Sequence, residues 1–213
     1  LSVSNGTTHA YPGLVQPETL IALPSAIQPV SAVRSTLIQS SLNTLRKRGH
    51  FERYMSVLNP RYQAALLESL APEWLPLDAA VAHYSACDAL TLSPAELQEI
   101  GEDVGERIQG TFIGTLVRKA RTVGLTPWVL LAQFQRLWER LMQGGAVGLA
   151  KTGPKDCSVD IRHLPLCEYT YFRVAFCGVI ASGIKLGAGK AVTVRSTGAG
   201  GFGSRCVLKS SWV

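Results

Sequence analysis

Charge is scarce in this chain of 213 residues: Asp, Glu, Lys and Arg make up 17%, against roughly 25% in an average globular domain. With 46% hydrophobic residues, that scarcity excludes an intrinsically disordered chain. Paired cysteine motifs are missing as well. Cys87, Cys157, Cys167, Cys177 and Cys206 are odd in number and contain no C-x-x-C, so their spacing writes neither a zinc ribbon nor a thioredoxin-type site. Free thiols in a reducing compartment are expected. No Lys or Arg precedes Arg34, so the basic n-region of a signal peptide is absent. The longest strongly apolar uncharged run, Val174 to Ile184, has 11 residues, where a bilayer span needs about 20. The expectation is a soluble, cytoplasmic protein without a membrane span.

Catalytic signatures are equally sparse. G-x-S-x-G does not occur, and none of His9, His50, His83 and His163 lies four residues from another histidine. Cys87 follows His83 by four, but that pair would need two further ligands to hold a metal. A buried core cysteine is the simpler expectation. Outside that pair, Cys167 with His163 is the only close Cys/His pair, and Pro165 between them implies a loop. No catalytic residue, metal site or cofactor is assigned, and a thiol-dependent enzyme using Cys167 and His163 stands only as a remote alternative. Net charge is +6. Its densest runs, Arg46-Lys47-Arg48 and Arg118-Lys119-Arg121, are shorter than nucleic-acid tracts and read as helix ends, so no nucleic-acid partner is expected.

What is present is periodicity. Residues 1–30 carry Pro12, Pro17, Pro24 and Pro29 and read as an N-terminal arm or tail, with a possible edge strand from Leu20 to Ala26. Residues 31–213 read as one domain. Helical spacing predicts helices from Ser35 to Arg48, His50 to Leu58, Pro60 onward and Leu77 to Ala89. Ser93-Pro94-Ala95-Glu96 is a capping box with proline at the first helical position. Thr126-Pro127 opens the next helix, with a stripe of Leu130, Leu131, Phe134, Leu137, Trp138 and Leu141.

Beyond Gly145 the pattern changes, and 12 of the 20 glycines lie between 144 and 203. Strands are predicted over Ala146–Ala150 and Cys157–His163, a buried helix over Glu168–Leu186, and strands over Lys190–Arg195 and Ser204–Val213. Gly198 to Gly203 fits G-x-G-x-x-G but leads into a strand, so it reads as a hairpin loop. Helices followed by strand, strand, helix, strand, strand predict an α+β fold, a helical layer of four or more helices on a small antiparallel sheet.

Small residues recur at four-residue spacing: Gly101 and Gly105 on one helix, Gly178 and Ser182 beside Gly183 on another. Each helical glycine costs about 1 kcal/mol relative to alanine, and close approach of a second backbone is the usual compensation. Gly101, Gly105, Gly178 and Gly183 are therefore expected to be structural.

The run Gly101-Glu102-Asp103-Val104-Gly105-Glu106-Arg107-Ile108 resembles a helix of the transport protein particle (TRAPP) subunits, with its G-x-x-[IV]-G-x-R-[IL] pattern. Tyr171 to Gly183 is similar to that family's late helix, which carries C-G-[VI]-[LI]-x-x-G. Gly203-Ser204-Arg205-Cys206 is close to the ending of the related 4-vinyl-reductase-type sensor domains. Residues 35–213, with Trp74 before a helix, look most like a myxobacterial paralogous family of unknown function. The resemblance implies a TRAPP-subunit-like fold, whose members bind hydrophobic small molecules or haem, or act as dimeric scaffolds. It transfers no acylation site, because no cysteine lies between Cys87 and Cys157. It transfers no zinc, because Arg195 and Gly198 stand where a Glu and a Cys would be. No histidine is marked as a haem ligand.

The leading expectation is a non-enzymatic regulatory domain holding an apolar small molecule or a protein partner. An apolar lining would come from Trp128, Phe134 and Trp138 on one helix and Phe172, Phe176 and Cys177 on another. The alternative is a homodimeric scaffold whose face buries Tyr54, Met55, Leu58 and Leu66.

Overall fold

A computed structural model describes residues 17–70, 72–112, 126–188, 191–197 and 204–213. The fold is α+β, with eight α-helices among the described residues and two antiparallel sheets. After the edge strand β1 (Glu18–Ile21) and β2 (Ala32–Arg34), helix α1 (Ser35–Lys47) turns Leu37, Ile38, Leu42 and Leu45 into the core. Helix α2 (Phe51–Val57) follows, and then a 3-10 turn, Pro60–Tyr62, in which the Asn59 side chain accepts a bond from the Arg61 N–H. Helix α3 (Gln63–Leu67), strand β3 (Trp74–Pro76) and helix α4 (Leu77–Asp88) lead to the long helix α5 (Pro94–Phe112). The expected capping box starts α5: the Glu96 N–H donates to Ser93 Oγ, and Glu96 Oε2 accepts from the Ser93 N–H, both at 3.2 Å.

The single helix expected after Pro127 is two, α6 (Pro127–Leu131) and α7 (Phe134–Leu141). The break lets successive aromatic residues aim at different neighbours. The Trp128 indole donates to the Pro154 carbonyl, and the Trp138 indole to the Gly144 carbonyl. Strands β4 (Met142–Gln143), β5 (Ala146–Gly153) and β6 (Asp156–Arg162), a 3-10 turn Pro165–Glu168, helix α8 (Thr170–Ala188), and strands β7 (Val192–Ser196) and β8 (Arg205–Trp212) complete the chain.

The large sheet has the order β1-β5-β6-β8-β7 and the small one β3-β2-β4. The small sheet escapes a sequence reading because its strands are two or three residues long, too short to show a period of two. Residues 17–30, within the expected arm, are stitched to the fold. β1 pairs with β5, the Gln28 carbonyl accepts from the Gly145 N–H, and the Val30 N–H donates to the His163 carbonyl.

Alternation in the large sheet separates two faces. Cys157, Val159, Ile161, Cys206, Leu208 and Trp212 are buried on the inner one. Ser158, Asp160, Arg162, Arg205, Lys209 and Ser211 lie on the outer one. Helix α8 packs between the inner face and α5. It is long and apolar enough to cross a bilayer by length and composition. Eleven of its residues, from Tyr171 to Ile184, are buried within this chain, which reads as a core helix.

Glycine sets the distance between α5 and α8. A Cβ on Gly101 would overlap the Ala175 carbonyl, one on Gly178 the Gln98 carbonyl, and one on Gly105 the Ser182 hydroxyl. The two backbones touch there, which is why α5 carries glycine in mid-helix. Gly183 differs from the expectation: nothing lies within 4 Å of a Cβ built on it, because it faces away from α5. The expected dimer face is corrected too. Tyr54, Leu58 and Leu66 are buried inside the single chain against neighbouring helices and are not available to a second copy.

Candidate functional site

The seam of α1, α4, α5 and α8 holds a cavity of about 20 Å³, lined among others by Leu37, Tyr84, Ile100, Val104, Phe172 and Phe176. The Ser41 and Tyr171 side chains supply its polar corner, their hydroxyls 2.9 Å apart. Space of this size holds about one water-sized species. Tyr84 meets Phe172 edge-on with ring centroids 5.2 Å apart, and Phe172 stacks on Phe176 at 5.2 Å.

A buried polar chain runs from this corner. His83 Nε2 is 3.1 Å from Ser41 Oγ, and His83 Nδ1 is 2.9 Å from the Tyr54 hydroxyl. Cys87 Sγ sits 3.6 Å from Nε2. Burial lowers the His83 pKa to about 3, so the ring is neutral, donating from one nitrogen and accepting at the other. Burial, with the neighbouring Cys87, pushes Tyr54 and Tyr171 upward. Burial raises the Cys87 thiol as well. The network is uncharged and internally satisfied, so it specifies packing and leaves no base free to take a proton.

A second cluster lies under α8 near β8. Cys167 and Cys206, both buried, are close enough to shift each other's titration. The neighbouring Cys206, with burial, raises the Cys167 thiol, whereas the neighbouring Cys167, against burial and with help from Arg173, lowers Cys206. Cys177 donates to the Arg173 carbonyl at 3.2 Å, and burial takes its thiol to about 12. The pairing of Cys167 with His163 is corrected: Cys167 is 1% exposed and turned toward Cys206, whereas His163 sits at φ 59° with an exposed side chain. No group of three His, Cys, Asp or Glu residues able to hold a metal occurs among the described residues.

Of the six residues expected to line a pocket, Phe172 and Phe176 reach the cavity. Phe134 packs behind Phe176, with centroids 6.4 Å apart. Trp128 lies against Trp212 at 4.8 Å, at the sheet, and Trp138 is held at the Gly144-Gly145 turn. Cys177 faces the sheet side with the other thiols. Sequence reasoning missed Ser41, His83 and Tyr171 as one unit. Their separations of 42 and 130 residues leave no local signal beyond three polar groups on otherwise apolar faces. Among the basic runs, Arg48 is tied to Glu99 at 2.7 Å and Asp103 at 3.1 Å, while Arg118-Lys119-Arg121 and Gly198 to Gly203 lie outside the described residues.

No family model matches this sequence, and no curated protein matches it. Solved structures do resemble it. The Fe(II) unliganded H-NOX protein from K. algicida has a TM-score of 0.61 at 8% identity, covering 84% of this chain and 96% of that one. An oxygen-binding H-NOX domain related to soluble guanylate cyclases, in its oxygen complex, has a TM-score of 0.55 at 12% identity, covering 84% and 94%. A mutant of the T. tengcongensis H-NOX matches at 0.55 and 11% identity, covering 84% and 96%. The fold is therefore H-NOX-like, and the expected TRAPP and 4-vinyl-reductase resemblance is corrected. The motifs behind that resemblance are small residues that any two helices need in order to touch backbone to backbone.

Haem distortion has been examined in the H-NOX family, so the fit of haem to this chain can be tested. Haem iron is held by a side chain such as histidine, with space for the macrocycle beside it. Here α5 and α8 touch through Gly101 and Gly178, and the cavity between them is about 20 Å³. Both ring nitrogens of His83 are engaged, His50 lies 3.4 Å from Glu96, and His163 is exposed on a turn. These described residues do not fit a haem.

Proposed function

We propose that this chain is a non-enzymatic regulatory domain that binds a very small apolar species, of one or two heavy atoms, in the α1–α4–α5–α8 seam. The observation that carries the reading is the small, mostly apolar cavity among Leu37, Tyr84, Val104, Phe172 and Phe176, whose polar neighbours are already bonded to one another. A charged or strongly hydrogen-bonding ligand would find no free partner there, whereas an apolar one gains dispersion contacts on every side. Binding to the native state alone would stabilise α5 against α8 and bias whatever partner reads that helix pair. The H-NOX-like fold supports the reading, since one neighbour is described as oxygen-binding.

The test uses xenon as the probe. Under xenon pressure, methyl resonances of Leu37, Ile100, Val104 and Val179 should shift saturably, and a Val104→Ile variant, which fills the space, should lose the response. Absence of the shift in the unaltered protein, or an equal shift in Val104→Ile, would reject the seam as a ligand site.

A further inference from the structure

A second concavity lies on the outer face of the large sheet, away from the seam. It is a groove of about 490 Å³ lined by Thr152, Ser158, Thr193, Arg195, Lys209 and Ser211. Ligand sites commonly run to about 300–1,000 Å³. Arg195 on β7 stands directly opposite Lys209 on β8, and Lys209 directly opposite Ser158 on β6. Like charges facing each other across a ladder are destabilising.

The same face shows how this protein treats such a pair when it supplies the counter-charge itself. Arg162 on β6 faces Arg205 on β8, again cation against cation. Asp160 joins them: its Oδ2 accepts from Arg162 at 2.9 and 3.0 Å, and its carboxylate accepts from Arg205 at 2.9 and 3.1 Å. Arg195 and Lys209 have no ion-pair partner among the described residues. Asp156 lines the same groove and can accept a hydrogen bond from a ligand hydroxyl.

We propose that this groove binds a small soluble phosphate monoester. The phosphate would sit between Arg195 and Lys209, in the role Asp160 plays for Arg162 and Arg205. Guanidinium and ammonium groups bind phosphate oxygens through charge-assisted hydrogen bonds. The Ser158, Thr193 and Ser211 hydroxyls can donate to the remaining oxygens. The groove's excess volume takes the organic part of the ligand.

The site is independent of the apolar seam, so either proposal can fail without the other. Thermal unfolding is followed while inorganic phosphate, and separately glycerol 2-phosphate, replaces chloride at constant ionic strength. The unaltered protein should gain about 2–4 °C in Tm, saturably, and Arg195→Gln should lose that gain. Lys209→Glu supplies the missing carboxylate. It should start with a raised Tm in chloride and show no further response to phosphate. A linear, non-saturating response, an equal gain in Arg195→Gln, or a lowered starting Tm in Lys209→Glu would each overturn the proposal.

Discussion

The two faces of the large sheet handle space and charge in opposite ways. Against the inner face, α8 is pressed onto α5 until glycine is the only residue that fits, and on the far side of α8 the buried groups around His83 are neutral and bonded to one another. On the outer face a groove stays open and two cations face each other unneutralised. The contrast shows that, among the described residues, this H-NOX-like arrangement of elements leaves little space between α5 and α8. Here two close approaches, at Gly101 and Gly178, shut the seam to a macrocycle. The groove described on this chain's sheet lies at its outer surface.

The closed side should break first. Gly101→Ala puts a methyl into the Ala175 carbonyl, and backbone cannot swing aside as a side chain can. We expect a loss of about 3 kcal/mol, at the upper end for overpacking, read from urea unfolding. Gly183→Ala is the matched contrast on α8, with open space at the Cβ. It should stabilise by about 0.5–1 kcal/mol through helix propensity and a less flexible unfolded chain. Equal effects of the two substitutions would mean that the helices are not in backbone contact.

The neutral network offers the next test. Tyr54→Phe leaves His83 Nδ1 buried without its 2.9 Å partner and should cost about 1–3 kcal/mol. The same histidine sets a pH dependence. With a native pKa of about 3 against 6.5 unfolded, the unfolded chain binds a proton that the native state refuses throughout that window. Stability should therefore fall as pH drops below 6.5, by at most about 1.4 kcal/mol per pH unit from this residue. His83→Gln should remove that increment from urea midpoints measured between pH 4 and 7. An unchanged slope would show that His83 reaches water.

Much of the architecture could be read from residues. The Ser93–Glu96 box, the helical stripe of α1 and the strands β6 and β8 are local signals, and each appears where its chemistry places it. The spacing of Gly101, Gly105 and Gly178 also pointed to close helix packing, because a costly residue at a fixed period demands a compensating neighbour. The site was less legible. An aromatic stripe at helical spacing says which residues face inward and not which share one cavity. Trp128 and Trp138 leave the seam because each indole N–H must reach a carbonyl, at Pro154 and Gly144. The Ser41–His83–Tyr171 chain and the Arg195–Lys209 pair depend on tertiary register, which no window along the sequence contains.

The open face yields the smallest expected effect and the sharpest contrast with the proposed phosphate site. Burial opposes ionisation of Asp160, but hydrogen bonds from Arg205 and Arg162 outweigh it and hold the carboxyl below its ordinary value of 3.8. A carboxylate so depressed contributes its stability fully above 3.8 and loses it as pH falls through the lower native value. Asp160→Asn should therefore destabilise by about 0.5–1 kcal/mol at neutral pH and low salt. The deficit should shrink in about 1 M NaCl through screening, and it should vanish in acid. Because the substitution leaves two like-charged cross-strand pairs without an internal anion, phosphate should now stabilise the variant at both pairs. Its Tm gain should then exceed that of the unaltered protein. An Asp160→Asn variant that responds to phosphate no more than its parent would show that the bridging carboxylate is not what makes the Arg162–Arg205 pair tolerable.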